Sequence, residues 1–229
     1  MKKLFVLLLA LTGFMDAGAQ KPVDWANFGR FQQANREQAA RPSVVFMGNS
    51  ITELWIAKHP DFFTSHDYVS RGISGQTTSQ MLVRFRADVL DLQPQVVVIC
   101  GGTNDIARNT GYISLEHILD NLVSMAELAR ANGIRPVLCS VPPTREFPWN
   151  KGLEPAPQVI RLNEMIRAYA RKAKIPYVDY HTPMAEAAGG LIAAYTYDGV
   201  HPTEAGYDVM EKTVQPVLEK ALRKRGGRR

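Results

Sequence analysis

Unbroken apolar runs rich in β-branched residues recur along the chain, and each is followed by a longer stretch whose apolar positions return every three or four residues. The clearest runs are Ser43–Met47, Val96–Cys100, Pro136–Cys139 and Pro176–Asp179, with a weaker one over Tyr68–Ser70. Runs without polar alternation predict strands covered on both faces, as in a parallel sheet. The periodic stretches predict helices over Thr77–Leu92, Ser114–Asn132, Gln158–Lys174 and Thr203 to about Arg223, with Gly133 and Pro176 as stop signals. Strand and helix alternate, so the pattern predicts an α/β fold, a three-layer α/β/α sandwich on a parallel sheet. In such sheets ligands bind just beyond the carboxyl ends of the strands.

The first residues break the pattern. Lys2 and Lys3, an apolar run from Leu4 to Met15, and then Ala17, Gly18 and Ala19 have the layout of a secretory signal peptide over residues 1–19, cleaved before Gln20. Its apolar run is shorter than the roughly 20 residues a spanning helix needs, and no later segment is apolar enough to cross a bilayer. An exported chain without a membrane span is expected. Residues 20–229 suit one domain, undivided by any repeat or linker. Export permits disulfides. The two cysteines, Cys100 and Cys139, each end a predicted buried strand, where free cysteine serves as a small hydrophobe and bridging geometry is restrictive.

The net charge of +5 invites a nucleic-acid reading, but its location argues against one. Lys220, Arg223, Lys224, Arg225, Arg228 and Arg229 crowd the last ten residues; without them and the leader, 19 basic residues face 21 acidic ones. The charge describes a basic tail, expected to fray over 220–229, and not a binding face.

Four predicted loops carry polar residues that the fold alone does not require: Gly48-Asn49-Ser50, Gly72 through Thr77, Gly101 through Asp105, and Asp198 through His201. Each has a structural explanation. Ser50 with Glu53 three residues on reads as a capping box, the two glycines as a permissive turn, and Asn104, Asp105 and Asp198-Gly199 as turn residues. Together they supply a complete chemistry. Ester hydrolysis needs a hydroxyl nucleophile, a base, a group that orients the base, and donors for an oxyanion. Ser50, His201 and Asp198 fit the first three roles. The amides of Ser50 and Gly75 with the Asn104 side chain fit the fourth, so no cofactor is called for.

These four blocks, in this order over residues 48–202, resemble the SGNH hydrolase superfamily, the GDSL-type esterases and lipases. Ser50 in FMGNSIT resembles its nucleophile, Gly75 in RGISGQTT its second-block glycine, Asn104 in GGTND its third-block asparagine, and Asp198 with His201 in DGVHP its final block. The resemblance implies a flavodoxin-like five-stranded parallel sheet, a Ser50–His201–Asp198 triad, and an oxyanion hole of Ser50, Gly75 and Asn104. Asn49 stands where the family usually has aspartate, which leaves the subgroup and the substrate open.

Aromatic residues surround these blocks. Trp55 follows Ser50, Phe147 and Trp149 lie in the long loop PPTREFPWNKGLEPAP, and Tyr197 precedes Asp198. With Asn49 they are expected to line a substrate site, and exposed rings suit a sugar. The expectation is an esterase for acetyl or other short acyl groups on small-molecule or glycan esters. A lysophospholipase- or thioesterase-like acylhydrolase, a non-catalytic carbohydrate binder and an acyltransferase are the alternatives. A metal-dependent hydrolase built on Asp179, His181, Asp198 and His201 is a further rival, but it leaves Ser50, Gly75 and Asn104 without roles.

Overall fold

The computed structural model describes residues 24–223, so the expected leader and residues 224–229 of the basic tail lie outside the described residues. Five strands, β1 Val44–Gly48, β2 Tyr68–Gly72, β3 Val96–Ile99, β4 Arg135–Cys139 and β5 Tyr177–Val178, form one parallel sheet in the order β2-β1-β3-β4-β5. This is the flavodoxin-like order. The helices are α1 Gln32–Glu37, α2 Ser50–Lys58, α3 Pro60–Thr64, α4 Thr78–Phe85, α5 Thr103–Ile106, α6 Leu115–Ala131, α7 Pro155–Ala173, α8 His181–Met184 and α9 Glu204–Arg223. Among the described residues no helix is long and apolar enough to cross a membrane.

The strands alternate between two buried faces. Val45, Met47, Val97, Ile99 and Leu138 pack under α4, α6 and α7, through Met81, Phe85, Leu122, Met125, Leu162 and Ile166. Val44, Phe46, Val96, Val98 and Val137 pack on the other face against Trp55, Phe62, Phe63, Tyr207, Met210 and Val214 of α2, α3 and α9. Burial of both faces makes the runs continuously apolar, and gives the three-layer sandwich that the pattern predicts.

The differences from expectation lie at element ends. The first stretch expected as one helix is α-helical to Phe85, and then widens to a π turn over Arg86–Leu90. α7 starts at Pro155, whose fixed φ suits a first helical turn, and not at Gln158. The tail expected to fray from Lys220 is helical through Arg223. Cys100 and Cys139 are free and buried. Burial, reinforced by the neighbouring Cys100, pushes the Cys139 thiol well above its ordinary range, which keeps it protonated.

The Arg84 guanidinium is fully buried beneath the carboxyl end of the sheet. It donates to the Asp88 carboxylate at 2.8 Å, to Gly48 O at 3.0 Å, to Arg71 O at 2.9 Å and to the Gln76 side chain. Asn35 in turn donates to Asp88 at 2.7 Å and accepts from Arg71 at 2.9 Å. The ends of β1 and β2 and the loop after β2 are thus tied to one cation. Arg84→Met should cost about 3–5 kcal/mol, because it strands a buried carboxylate and two carbonyls. The double change Arg84→Met with Asp88→Leu should recover part of the loss, and urea unfolding of both variants is the check.

Candidate active site

β1 delivers the chain to the start of α2, where the first amides lack partners from a preceding turn. Asn49 answers them. Its Oδ1 accepts from Ile51 N at 3.1 Å and its carbonyl from Glu53 N at 2.9 Å. The expected capping box of Ser50 with Glu53 does not form, and Asn49, 2% exposed with its side-chain oxygen so engaged, does not line a substrate site. Glu53 turns instead to the next loop and accepts from Ser74 N at 2.7 Å and from the Ser74 hydroxyl. Partial burial opposes its charge, but the Ser74 and Arg30 hydrogen bonds outweigh this and hold the carboxyl below its usual range.

Relieved of capping, Ser50 Oγ lies 2.9 Å from His201 Nε2. His201 Nδ1 lies 2.7 Å from Asp198 Oδ2. The other Asp198 oxygen accepts from Val200 N at 2.9 Å and His201 N at 2.8 Å, a closed turn with Gly199 at φ 86. Burial raises the Asp198 pKa, but the hydrogen bonds from His201 and Val200 together outweigh it, so the carboxyl stays below its ordinary value. A carboxylate at Nδ1 favours the tautomer with its proton there, leaving Nε2 to accept from the serine hydroxyl.

The loop after β2 is accounted for amide by amide. Ile73 N donates to Gly48 O, Ser74 N to Glu53, Gln76 N to Ile73 O, Thr77 N to Gln80 and Thr78 N to the buried Asp105 carboxylate. Gly75 N, in a residue at φ 76, donates to no group among the described residues. Its flanks are fixed: Ser74 by Glu53, and Gly75 O by Asn109 Nδ2 at 3.1 Å. Asn104 on α5 is 3% exposed and gives one side-chain proton to Gln76 O at 2.9 Å, with a second N–H remaining. Because β1 lies between β2 and β3, the Gly75 and Asn104 loops flank Ser50. The group has a hydroxyl bonded to an imidazole, a carboxylate that orients the imidazole, and amide protons not yet used, the set of parts that acyl transfer to a serine requires.

The expected aromatic rim divides. Trp149 is exposed, its ring centroid 6.1 Å from that of His201, and Tyr197 is exposed beneath Lys58 Nζ, 5.6 Å from its ring centre. Trp55 and Phe147 are buried and do not line a site. Trp55 faces the sheet from α2, stacks on Phe62 at 5.3 Å and donates to Glu211. Phe147 packs in the core under α6 and α7, anchoring the loop that presents Trp149. Trp25 and Asn109 at this end of the molecule carried no sequence signal, being an isolated ring and an ordinary loop amide.

The four residues of the metal rival are not brought together. Asp179 is engaged by Arg167 and Thr182, and apart from them Asp198 and His201 pair with each other. Among the described residues, donor atoms within 4.8 Å of one another are found at His59, Asp208 and Glu211. Two of these side chains already meet each other, His59 Nδ1 lying 2.9 Å from Glu211 Oε1, at the far end of α2 from Ser50.

The comparisons bear on the family and the fold. The profile of the GDSL-like Lipase/Acylhydrolase family matches residues 46–209. Esterase TesA of Pseudomonas aeruginosa is 28% identical over 198 residues, covering 81% of this chain and 92% of that protein. A candidate acylhydrolase from Bacteroides fragilis is 49% identical, with a TM-score of 0.86 over 88% of this chain and 100% of the other. A GDSL-like lipase from Bacteroides thetaiotaomicron, also 49% identical, gives 0.83 over 86% of this chain and 98% of the other. The chain therefore belongs to the GDSL-like lipase/acylhydrolase family of the SGNH hydrolase superfamily, and is a carboxylic ester hydrolase.

Proposed function

We propose that the chain hydrolyses short acyl esters of carbohydrates through a covalent Ser50 intermediate. The observation that carries this reading is the continuous hydrogen-bonded series Ser50 Oγ, His201, Asp198 beside an unspent Gly75 amide. Ser50 Oγ attacks the ester carbonyl carbon as its proton passes to His201 Nε2. The amides of Ser50 and Gly75 and the free Asn104 N–H hold the oxyanion. Collapse expels the alkoxide, which takes the proton from His201 and leaves an acyl-serine. Water, deprotonated by His201, then releases the acid and restores Ser50. Asp198 keeps the imidazole in its tautomer throughout.

Support for a small acyl group and a polar alcohol comes from the surface at the same end of the sheet. Trp149 and Tyr197 offer exposed faces, and the hollow beside Gly75 is walled mainly by amides, hydroxyls and charged groups, with Ile73 and Ala107 its aliphatic members. A long acyl chain would call for an aliphatic groove. We also infer export, on the leader sequence of residues 1–19.

Ser50→Ala should abolish turnover of p-nitrophenyl acetate and change stability by under about 1 kcal/mol, since Asn49 is the cap. On wild type, rates should fall from acetyl to decanoyl esters; a steady rise would favour a lysophospholipase-like enzyme. Asn104→Ala should lower kcat by roughly 10²–10³-fold, as for loss of one oxyanion donor, measured on the same ester. Asp198 has a folded pKa below its unfolded value of about 3.9, so its contribution to stability is present above that value and lost as the pH falls through the folded one. Asp198→Asn should flatten the dependence of urea stability on pH below about pH 4.

A further inference from the structure

The larger of the two main hollows, about 760 Å³, opens at the amino ends of β4 and β5, beside Arg135, Lys174 and Tyr177. A second hollow, about 630 Å³, lies at the carboxyl end, beside Gly75. We propose that this second cleft is the subsite for the alcohol half of the ester, and that it takes a sugar ring, with Trp25 and Trp149 as its stacking faces. The proposal rests on the Ser50 mechanism and adds the place and chemistry of the leaving group.

The direction follows from the proton. The leaving oxygen must receive its proton from His201 Nε2, so the alcohol lies on the His201 side of the carbonyl. Trp149 joins the two places, with its ring beside His201 and one wall of the cleft in its side chain. That wall is held: Trp149 Nε1 donates to Asn109 Oδ1 at 3.0 Å, and Asn109 Nδ2 donates to Gly75 O. An alcohol resting on Trp149 therefore touches a side chain tied through Asn109 to the Gly75 loop.

Trp25 forms part of the cleft lining from the segment before β1. Trp25 is 48% exposed and Trp149 46%, although the backbone behind Trp25 is pinned. Trp25 O accepts from Gln80 at 2.7 Å and Ala26 O from Gln76 at 2.8 Å. Two large rings left in water on fixed supports mark a binding surface. Their flat faces suit the C–H face of a sugar, while Asn27, Arg108 and Asn150 around them offer donors and acceptors for hydroxyls. A fatty alcohol would find few aliphatic partners there.

The test compares kcat/KM for an O-acetylated xylo-oligosaccharide with that for p-nitrophenyl acetate, in wild type, Trp25→Ala and Trp25→Phe. Trp25→Ala should lower the ratio of sugar to aryl ester by about tenfold, mainly through KM, and Trp25→Phe should restore most of it. Calorimetry of the deacetylated oligosaccharide with Ser50→Ala should show binding that is weakened similarly when Trp25→Ala is added. A ratio within twofold of wild type, or parallel losses on both substrates with a lowered Tm, would overturn the subsite. If wild type cleaves the aryl ester but no acetylated sugar, the carbohydrate reading falls with it. If wild type and Trp25→Ala cleave the sugar equally well, the subsite alone falls.

Discussion

A helix that starts directly after a buried strand leaves amide groups that no preceding turn can satisfy, and the side chain that answers them decides what its neighbours are free to do. At the start of α2 that side chain is Asn49. A Ser50 hydroxyl accepting from the amide of Glu53 would not be aimed at His201. With Asn49 capping, Ser50 occupies the first helical position, its Oγ reaches His201, and Glu53 is released to hold Ser74. Asparagine at 49 keeps the acceptor oxygen that the cap requires, so the departure from the family's usual aspartate leaves the local geometry intact.

The same accounting extends to the loop after β2. Every amide from Ile73 to Thr78 except Gly75 is bonded within the chain, and the partners come from β1, α2, α4, α5 and the loop itself. A free amide in a mobile loop would have to be ordered in the transition state, whereas one held at both flanks is ordered before substrate arrives. Arg84 supplies the deeper support, since one guanidinium bonds Gly48 O, Arg71 O and Gln76 together. Burial lowers its pKa, and the hydrogen bond and charge of Asp88 offset only part of that cost. A polar knot of this kind holds two loop bases at a fixed spacing, which apolar packing alone would leave softer.

The strands, the layers and the four polar blocks were legible because they rest on local pattern: unbroken apolar runs, helical periodicity, and turn residues at strand ends; the flavodoxin-like sheet came only from the resemblance to the family. What was not legible depends on partners remote in sequence. Trp55 and Trp149 are the same residue type near the same blocks, yet one is stacked on Phe62 beneath α9 and the other stands in solvent beside His201. Phe147 and Trp149, two positions apart, divide in the same way. Arg84 lies within a predicted amphipathic helix, where arginine ordinarily marks the solvent face; only the carbonyls of Gly48 and Arg71 above it show why it faces inward. Glu53 satisfied a capping pattern, but a better acceptor one residue before Ser50 displaced it.

Sheet order explains why these remote pieces meet where they do. The chain leaves β1 toward β2 on one side, and β3 then pairs with β1 on the other, so the connections diverge at the carboxyl end of β1. Such a divergence opens a crevice that helix packing cannot close. Ser50 stands at its centre, the Gly75 loop on one wall and Asn104 on the other. The final turn bearing Asp198 and His201 lies just before α9, which packs across β3 and β5 on the face that also carries α2. The 760 Å³ hollow at the opposite end of the sheet, although larger, has no such divergence of connections, because there the amino ends of β4 and β5 are simply adjacent. On the mechanism we propose, volume alone does not locate the chemistry in this fold; the place where the chain changes direction does.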